Sequence, residues 1–140
     1  LSQSPKIAFD HRRVRQLADV TDLVDCLFPG NLNQQHAAAW LLLMLRQSPE
    51  PLASLKELEE KHGVSRRTLQ RVRAKLAHLG LIEHVTWMNS RYGGRTGWVL
   101  SGRMATALRQ LAERLDGWQS DGRPDADTKE AALVGLLRPE

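Results

Sequence analysis

Apolar residues recur at spacings of three and four through most of the chain, and the places where that rhythm stops mark its elements. From about 10 to 27, Val14, Leu17, Val20, Thr21, Val24 and Leu27 align on one side of an amphipathic helix. Phe28-Pro29-Gly30 ends it. Asn31 or Asn33 is placed to cap a second helix reaching Gln47, because an Asn side chain accepts from amides that lack a helical partner. The run from Ala37 to Leu45 makes that helix apolar on most of its circumference, as a central core helix is. Ser48-Pro49-Glu50-Pro51 interrupts it. Ser54, with Glu57 three residues on, reads as a capping box opening a third helix, and Leu55 and Leu58 give that helix a narrow inward face. Gly63 stops it. Ser65 then caps a fourth helix with Leu69, Val72, Leu76 and Leu79 as a single stripe, closed by Gly80.

After Gly80 the period changes. Residues 81–88 are rich in β-branched and aromatic side chains and predict a strand. Residues 89–96 form a glycine-centred turn, and Trp98-Val99-Leu100 returns as a second strand. Ser101 caps a fifth helix with Met104, Leu108, Leu111 and Leu115 expected to face inward and Trp118 near its end. Beyond Gln119 the chain is rich in Gly, Pro and Asp through Asp127, and residues 128–137 have the composition of a short helix. The organisation expected is an N-terminal helix over 1–30, a central domain over 31–118 and an acidic tail over 119–140, with the first helix and the end of the chain as the candidate dimer contacts.

Charge sharpens this picture because it is localised. Residues 61–115 carry eleven basic and two acidic side chains, +9, whereas 29–60 stands at −2, 116–140 at −3 and 1–28 at zero. A positive field confined to one stretch is the footprint of a nucleic-acid surface. No acidic residue lies between Lys61 and Ile82, so the basic fourth helix has no internal i,i+4 partners. With successive residues turned by about 100°, the face opposite its apolar stripe carries Arg67, Gln70, Arg71, Ala74 and His78. Arg pairs bidentately with guanine and Gln with adenine, which makes Arg67, Gln70 and Arg71 the base-reading candidates. Ser65, Arg66, Thr68, Arg73 and Lys75 flank them, where phosphates would lie. Arg91, Tyr92 and Arg95 belong to the glycine turn, and its arginines are candidates for a minor groove or its phosphates.

The order helix, helix, short glycine turn, basic helix, strand, glycine-rich turn, strand, helix resembles the winged helix-turn-helix superfamily of bacterial and archaeal DNA-binding proteins. Regulators of the multiple-antibiotic-resistance repressor type are among its members. The residues that carry the resemblance run Ser54-Leu55-Lys56-Glu57-Leu58-Glu59-Glu60-Lys61-His62-Gly63-Val64-Ser65-Arg66-Arg67-Thr68-Leu69-Gln70-Arg71-Val72 and continue through Leu76-Ala77-His78-Leu79-Gly80-Leu81-Ile82. It covers about 31–118. The resemblance implies a mainly α fold with a small β-hairpin wing, double-stranded DNA as partner, helix 65–79 in the major groove, and a homodimeric transcriptional regulator in the cytoplasm. The dedicated ligand pocket or sensor domain that some of these families carry is not visible in the sequence.

Other classes find less support. Cys26 is the only cysteine, so no intramolecular disulfide forms. The longest apolar run is far short of the roughly 20 residues of a membrane helix. His11, His36, His62, His78 and His84 lack ligand spacing, and no phosphate loop, nucleophile elbow or acid/base pair appears; the expectation is no enzyme, no metal and no cofactor. Asp19, Asp22 and Asp25 read as a solvent face, and Trp87 and Trp98 as packing residues rather than a platform for single strands. Two further readings stay open. One is the DNA-binding domain of a replication, partition or mobile-element protein, with which the start at Leu1 rather than Met is compatible. The other is a winged-helix module that binds protein.

Overall fold

Short polar side chains, Asp10, Asp19, Asn31 and Ser65, cap the starts of four of this chain's helices. The computed structural model describes residues 6–86 and 96–138. In order, the elements are α1 (His11–Gln16), α2 (Val20–Leu27), α3 (Leu32–Gln47), α4 (Lys56–His62), α5 (Arg66–Leu79), β1 (Ile82–Val85), β2 (Gly97–Leu100), α6 (Arg103–Ser120) and α7 (Pro124–Val134), followed by a 3-10 turn at Gly135–Leu137. The fold of the described residues is therefore mainly helical with one small antiparallel pair of strands, paired Ile82 with Leu100 through Val85 with Gly97.

The single N-terminal helix expected over 10–27 is two helices. Asp19 accepts from the amides of Thr21 and Asp22 and from the Thr21 hydroxyl, starting α2 afresh, while Asp22 accepts from the Ala18 amide across the break. These side chains offer the backbone an alternative to continuing the helix. The stripe splits accordingly: Val24 and Leu27 are buried, whereas Val14 and Leu17 are exposed. All three aspartates remain at the surface, and Asp25 receives Arg13 and Gln35.

Asn31 caps α3 through the Gln34 amide, as its position before the apolar run suggested. The capping box at Ser54 does not close. Ser54 takes the Lys56 amide, but Glu57 turns along the helix to Lys61 at 2.6 Å instead of back to the cap. That bond holds the Glu57 carboxyl below its ordinary range and the Lys61 ammonium above its own. Ser65 caps α5 through the Thr68 amide at 3.1 Å, and α4 and α5 end at Gly63 and Gly80 with left-handed φ of 64° and 89°.

The chain divides into two compact units, Leu1–Met104 and Ala105–Glu140. In the first, α3 is the hub, packing on α2, α4, α5 and β2. Ala37, Ala38 and Leu41 of α3, Leu58 of α4, Val72 and Leu76 of α5, and Ile82 of β1 are all essentially inaccessible to solvent. Small residues at 37 and 38 let the neighbouring elements approach the α3 backbone closely. No buried side chain of this core is polar or charged among the described residues.

The second unit differs in kind. Leu108, Leu111 and Leu115, expected to face inward, are exposed, as is Trp118, and none of the described residues beyond Met104 is buried. Met104, the last residue of the first unit, packs against that unit's core. A periodic stripe encodes which side of a helix is apolar and not what covers it. The final helix begins earlier than expected, at Pro124, where the ring suits a first-turn position.

Candidate nucleic-acid interface

Helix α5 presents three surfaces, and the predicted residues that it carries fall among them. Leu69, Val72 and Leu76 are buried and fix its rotation against α3. Arg67, Gln70, Arg71, Ala74 and His78 consequently share the outward face, all exposed. Neither Arg67 nor Arg71 has an acidic partner among the described residues. The three base-reading candidates are thus together, within the first two turns, on a helix whose start is defined by Ser65. The Ser65 hydroxyl also donates to Thr68 Oγ1 at 2.9 Å, so the Ser65 and Thr68 hydroxyls are engaged locally.

On one flank Arg66, Gln70 and Arg73 line a polar cleft of about 240 Å³ together with Ser54, Lys56 and Glu59 around α4 and with Trp98 of β2. The Arg73 guanidinium lies over the Trp98 indole, 5.2 Å from the ring centroid. Such an arrangement holds a cation in place while leaving its N–H groups free for an anion. Trp98 is itself fixed. Its amide and carbonyl pair with Leu52 at 2.9 and 3.1 Å, and its ring meets His84 edge-on. The cleft therefore combines three cations from two helices with one carboxylate, and it opens beside the face that carries Arg67 and Arg71.

On the other flank the structure corrects one expectation. Lys75, read as a phosphate contact, turns its ammonium inward, donating to the carbonyls of Lys6 and Leu27 and lying 4.6 Å from the Phe28 ring centroid. Burial pulls its pKa below the ordinary lysine range, while the two carbonyls hold the ammonium that donates to them. Phe28 closes α2 and Leu27 is its last residue, so Lys75 ties α5 to the end of α2. A lysine on a helix flank looks the same in sequence whether it reaches solvent or a neighbouring carbonyl.

Arg91, Tyr92 and Arg95, together with Trp87, lie outside the described residues. Two features of this unit had no sequence signal. The Arg73–Trp98 stack joins residues far apart in the chain. So does the stack of Trp40 on His62, with centroids 3.8 Å apart, in which Trp40 also donates to His36. Trp40 is exposed there.

Among the described residues no group of three or more His, Cys, Asp or Glu is arranged to hold a metal ion, and no helix is long and apolar enough to cross a membrane. Cys26 is buried, its thiol directed to the Ala8 carbonyl and its pKa pushed up by burial. Comparison with protein-family models, curated proteins and solved structures gives no match.

Proposed function

We propose that this chain is a double-stranded DNA-binding protein of the winged helix-turn-helix kind, a cytoplasmic transcription regulator rather than an enzyme, with α5 entering the major groove. The observation that carries this reading is the outward face of α5, where Arg67, Gln70 and Arg71 stand exposed without acidic partners among the described residues. Unpaired like charges on one helix face repel one another, and a polyanion relieves that repulsion while releasing its own counterions. The α5 diameter suits the major groove, and side chains near its N-terminus are the ones that reach base edges in such docking. Lys56, Arg66 and Arg73 then meet the backbone phosphates on the α4 side. Glu59, in the same cleft, limits how closely a phosphate approaches there. Two copies acting as a pair would read half-sites about one helical turn apart.

The test is a selection of bound duplexes from a random pool, followed by affinity measurements over a salt series. Affinity should fall steeply with salt. Arg67→Ala and Arg71→Ala should each cost about 1–3 kcal/mol and relax preference at one base position. Arg73→Ala should weaken all duplexes alike. Unchanged affinity in both Arg67→Ala and Arg71→Ala would remove α5 from the groove.

A further inference from the structure

The zero net charge of residues 1–28 hides an ordered split. Residues 6–16 hold Lys6, Arg12, Arg13 and Arg15 against Asp10 alone, +3, and residues 17–28 hold Asp19, Asp22 and Asp25, −3. Only one of the four cations is neutralised across that divide. The Arg13 guanidinium reaches Asp25 of α2 at 3.3 Å, while Asp10 caps α1 through the Arg13 amide. Lys6, Arg12 and Arg15 are exposed and have no acidic partner among the described residues. Arg12 and Arg15 stand three apart on α1 and share one side of it, turned roughly 100° and 160° from Arg13 and its α2 partner.

Lys75 decides where this cluster sits. Its ammonium donates to the Lys6 carbonyl at 2.5 Å as well as to that of Leu27, which fixes residue 6 against α5. Lys75 lies one turn beyond Arg71 on the same flank of α5, whereas Arg66 and Arg73 stand about 160–180° around the helix from it. Ala8 is pinned in turn to the end of α2: its amide donates to the Cys26 carbonyl at 2.7 Å, and the Cys26 thiol donates to the Ala8 carbonyl. A helix in the major groove has a phosphate strand along each flank. On the α4 side Lys56, Arg66 and Arg73 supply the cations. On the other side the lysine of α5 itself is turned inward, and the segment it holds brings Lys6 in its place. Arg12 follows six residues on, within about 20 Å even along an extended chain, a span of several successive phosphates on one strand.

We infer that residues 6–16 form a second DNA-backbone contact, in which Lys6, Arg12 and Arg15 meet phosphates along the flank of α5 opposite the α4 cleft. Lys75 is its positioning residue, holding Lys6 at that flank through the backbone. The contact rests on the reading of α5 as the groove helix, and it gives DNA as partner to a segment whose helix the sequence suggested as a dimer contact. Charge summed over the whole N-terminal stretch conceals it, because the three aspartates that cancel the total lie on α2 and leave these three side chains unpaired.

Affinity of the full chain for a duplex selected by the wild type, measured over a salt series, tests this. Lys6→Ala/Arg12→Ala/Arg15→Ala should lower affinity about 10-fold or more near physiological salt and reduce the salt slope by about 2–3, roughly one for each phosphate released. Base preference should stay as it is, in contrast to Arg67→Ala. All three side chains are exposed, and alanine at position 6 keeps the carbonyl that Lys75 holds, so the variant should unfold at the wild-type urea concentration. Lys6→Arg/Arg12→Lys/Arg15→Lys retains the charges and should keep the wild-type slope. Phosphate ethylation interference locates the contact: Lys6→Ala should erase sensitive phosphates on one side of the bases that α5 reads, and Arg73→Ala those on the other. An unchanged slope in the alanine variant, an equal loss in the charge-retaining variant, or erasure by Lys6→Ala on the Arg73 side overturns the contact. If Arg67→Ala and Arg71→Ala have no effect while the triple alanine variant loses slope, α5 leaves the groove and the contact at 6–16 stands. The reverse result removes the contact at 6–16 and leaves α5 in place, and a wild type that binds no duplex overturns both.

Discussion

Replacing Gly97 by alanine tests how the strand pair is fixed to the helical core. Gly97 begins β2 with φ of 156°, a conformation that residues with a Cβ rarely adopt. A Cβ built there would lie 2.6 Å from both the carbonyl carbon and oxygen of Leu52, and 2.8 Å from its nitrogen. These are backbone atoms, held by the two hydrogen bonds between Leu52 and Trp98, and they cannot rotate aside as a side chain would. The methyl group therefore opens the bridge. Losing two such bonds costs about 1 kcal/mol each, and the backbone strain adds about 1–3 kcal/mol. The expected loss is about 3–5 kcal/mol in all. Gly63→Ala is the control, since Gly63 also has a positive φ, 64°, but nothing within 4 Å of its added Cβ. That variant should lose only the left-handed penalty, about 1–2 kcal/mol. Urea denaturation followed by circular dichroism measures both, with equal m-values confirming that the same transition is compared. A Gly97→Ala protein no less stable than Gly63→Ala would refute the claim that contact with Leu52, rather than φ alone, requires glycine. Because Trp98 follows Gly97 and supports Arg73, the same substitution should also weaken duplex binding in the protein that remains folded.

Two further substitutions probe the ends of α2. Lys75→Met keeps the stem against Phe28 but removes the donors to the Lys6 and Leu27 carbonyls; it should cost about 1–2 kcal/mol in denaturation and lower duplex affinity far less than Arg67→Ala. An equal loss of affinity would return Lys75 to the DNA face. The Asp19 carboxyl is held below its usual range chiefly by the Thr21 hydroxyl, and by the Asp22 and Thr21 amides. A depressed folded-state pKa gives stability that is complete above the unfolded value, about pH 4, and is lost as pH falls through the folded value. Asp19→Asn keeps an acceptor for the cap without titrating, so its urea midpoint should fall less between neutral pH and acid than that of the wild type. Parallel acid profiles would show that Asp19 contributes nothing to acid sensitivity.

What sequence made legible here was local. Ser65, Gly63 and Gly80 bound α4 and α5 because caps act on amides and carbonyls within one turn. Arg67, Gln70 and Arg71 share a face because a helix repeats every 3.6 residues, whatever surrounds it. The strands followed from a change of period after Gly80, although β1 ends at Val85 within the described residues. The misreadings share a cause. Asp19 competes with the backbone for the amides that a continuous helix would use, and periodicity does not register that competition. Glu57 had two partners within reach, the cap behind it and Lys61 ahead, and an exposed ion pair won.

By itself, the sequence determined the helical character of the chain, the register of α5 and the confinement of positive charge to its middle. These properties depend on neighbours a few positions apart. Only tertiary structure decided which apolar stripes are covered: that of α5 closes on α3, whereas that of α6 stays exposed along Leu108 to Trp118. It also decided which cations stay free, turning Lys75 inward to two carbonyls and setting Arg73 on Trp98. The reason is that a side chain's chemistry is local, but the group that satisfies it is supplied by whatever segment the fold brings within a few ångströms.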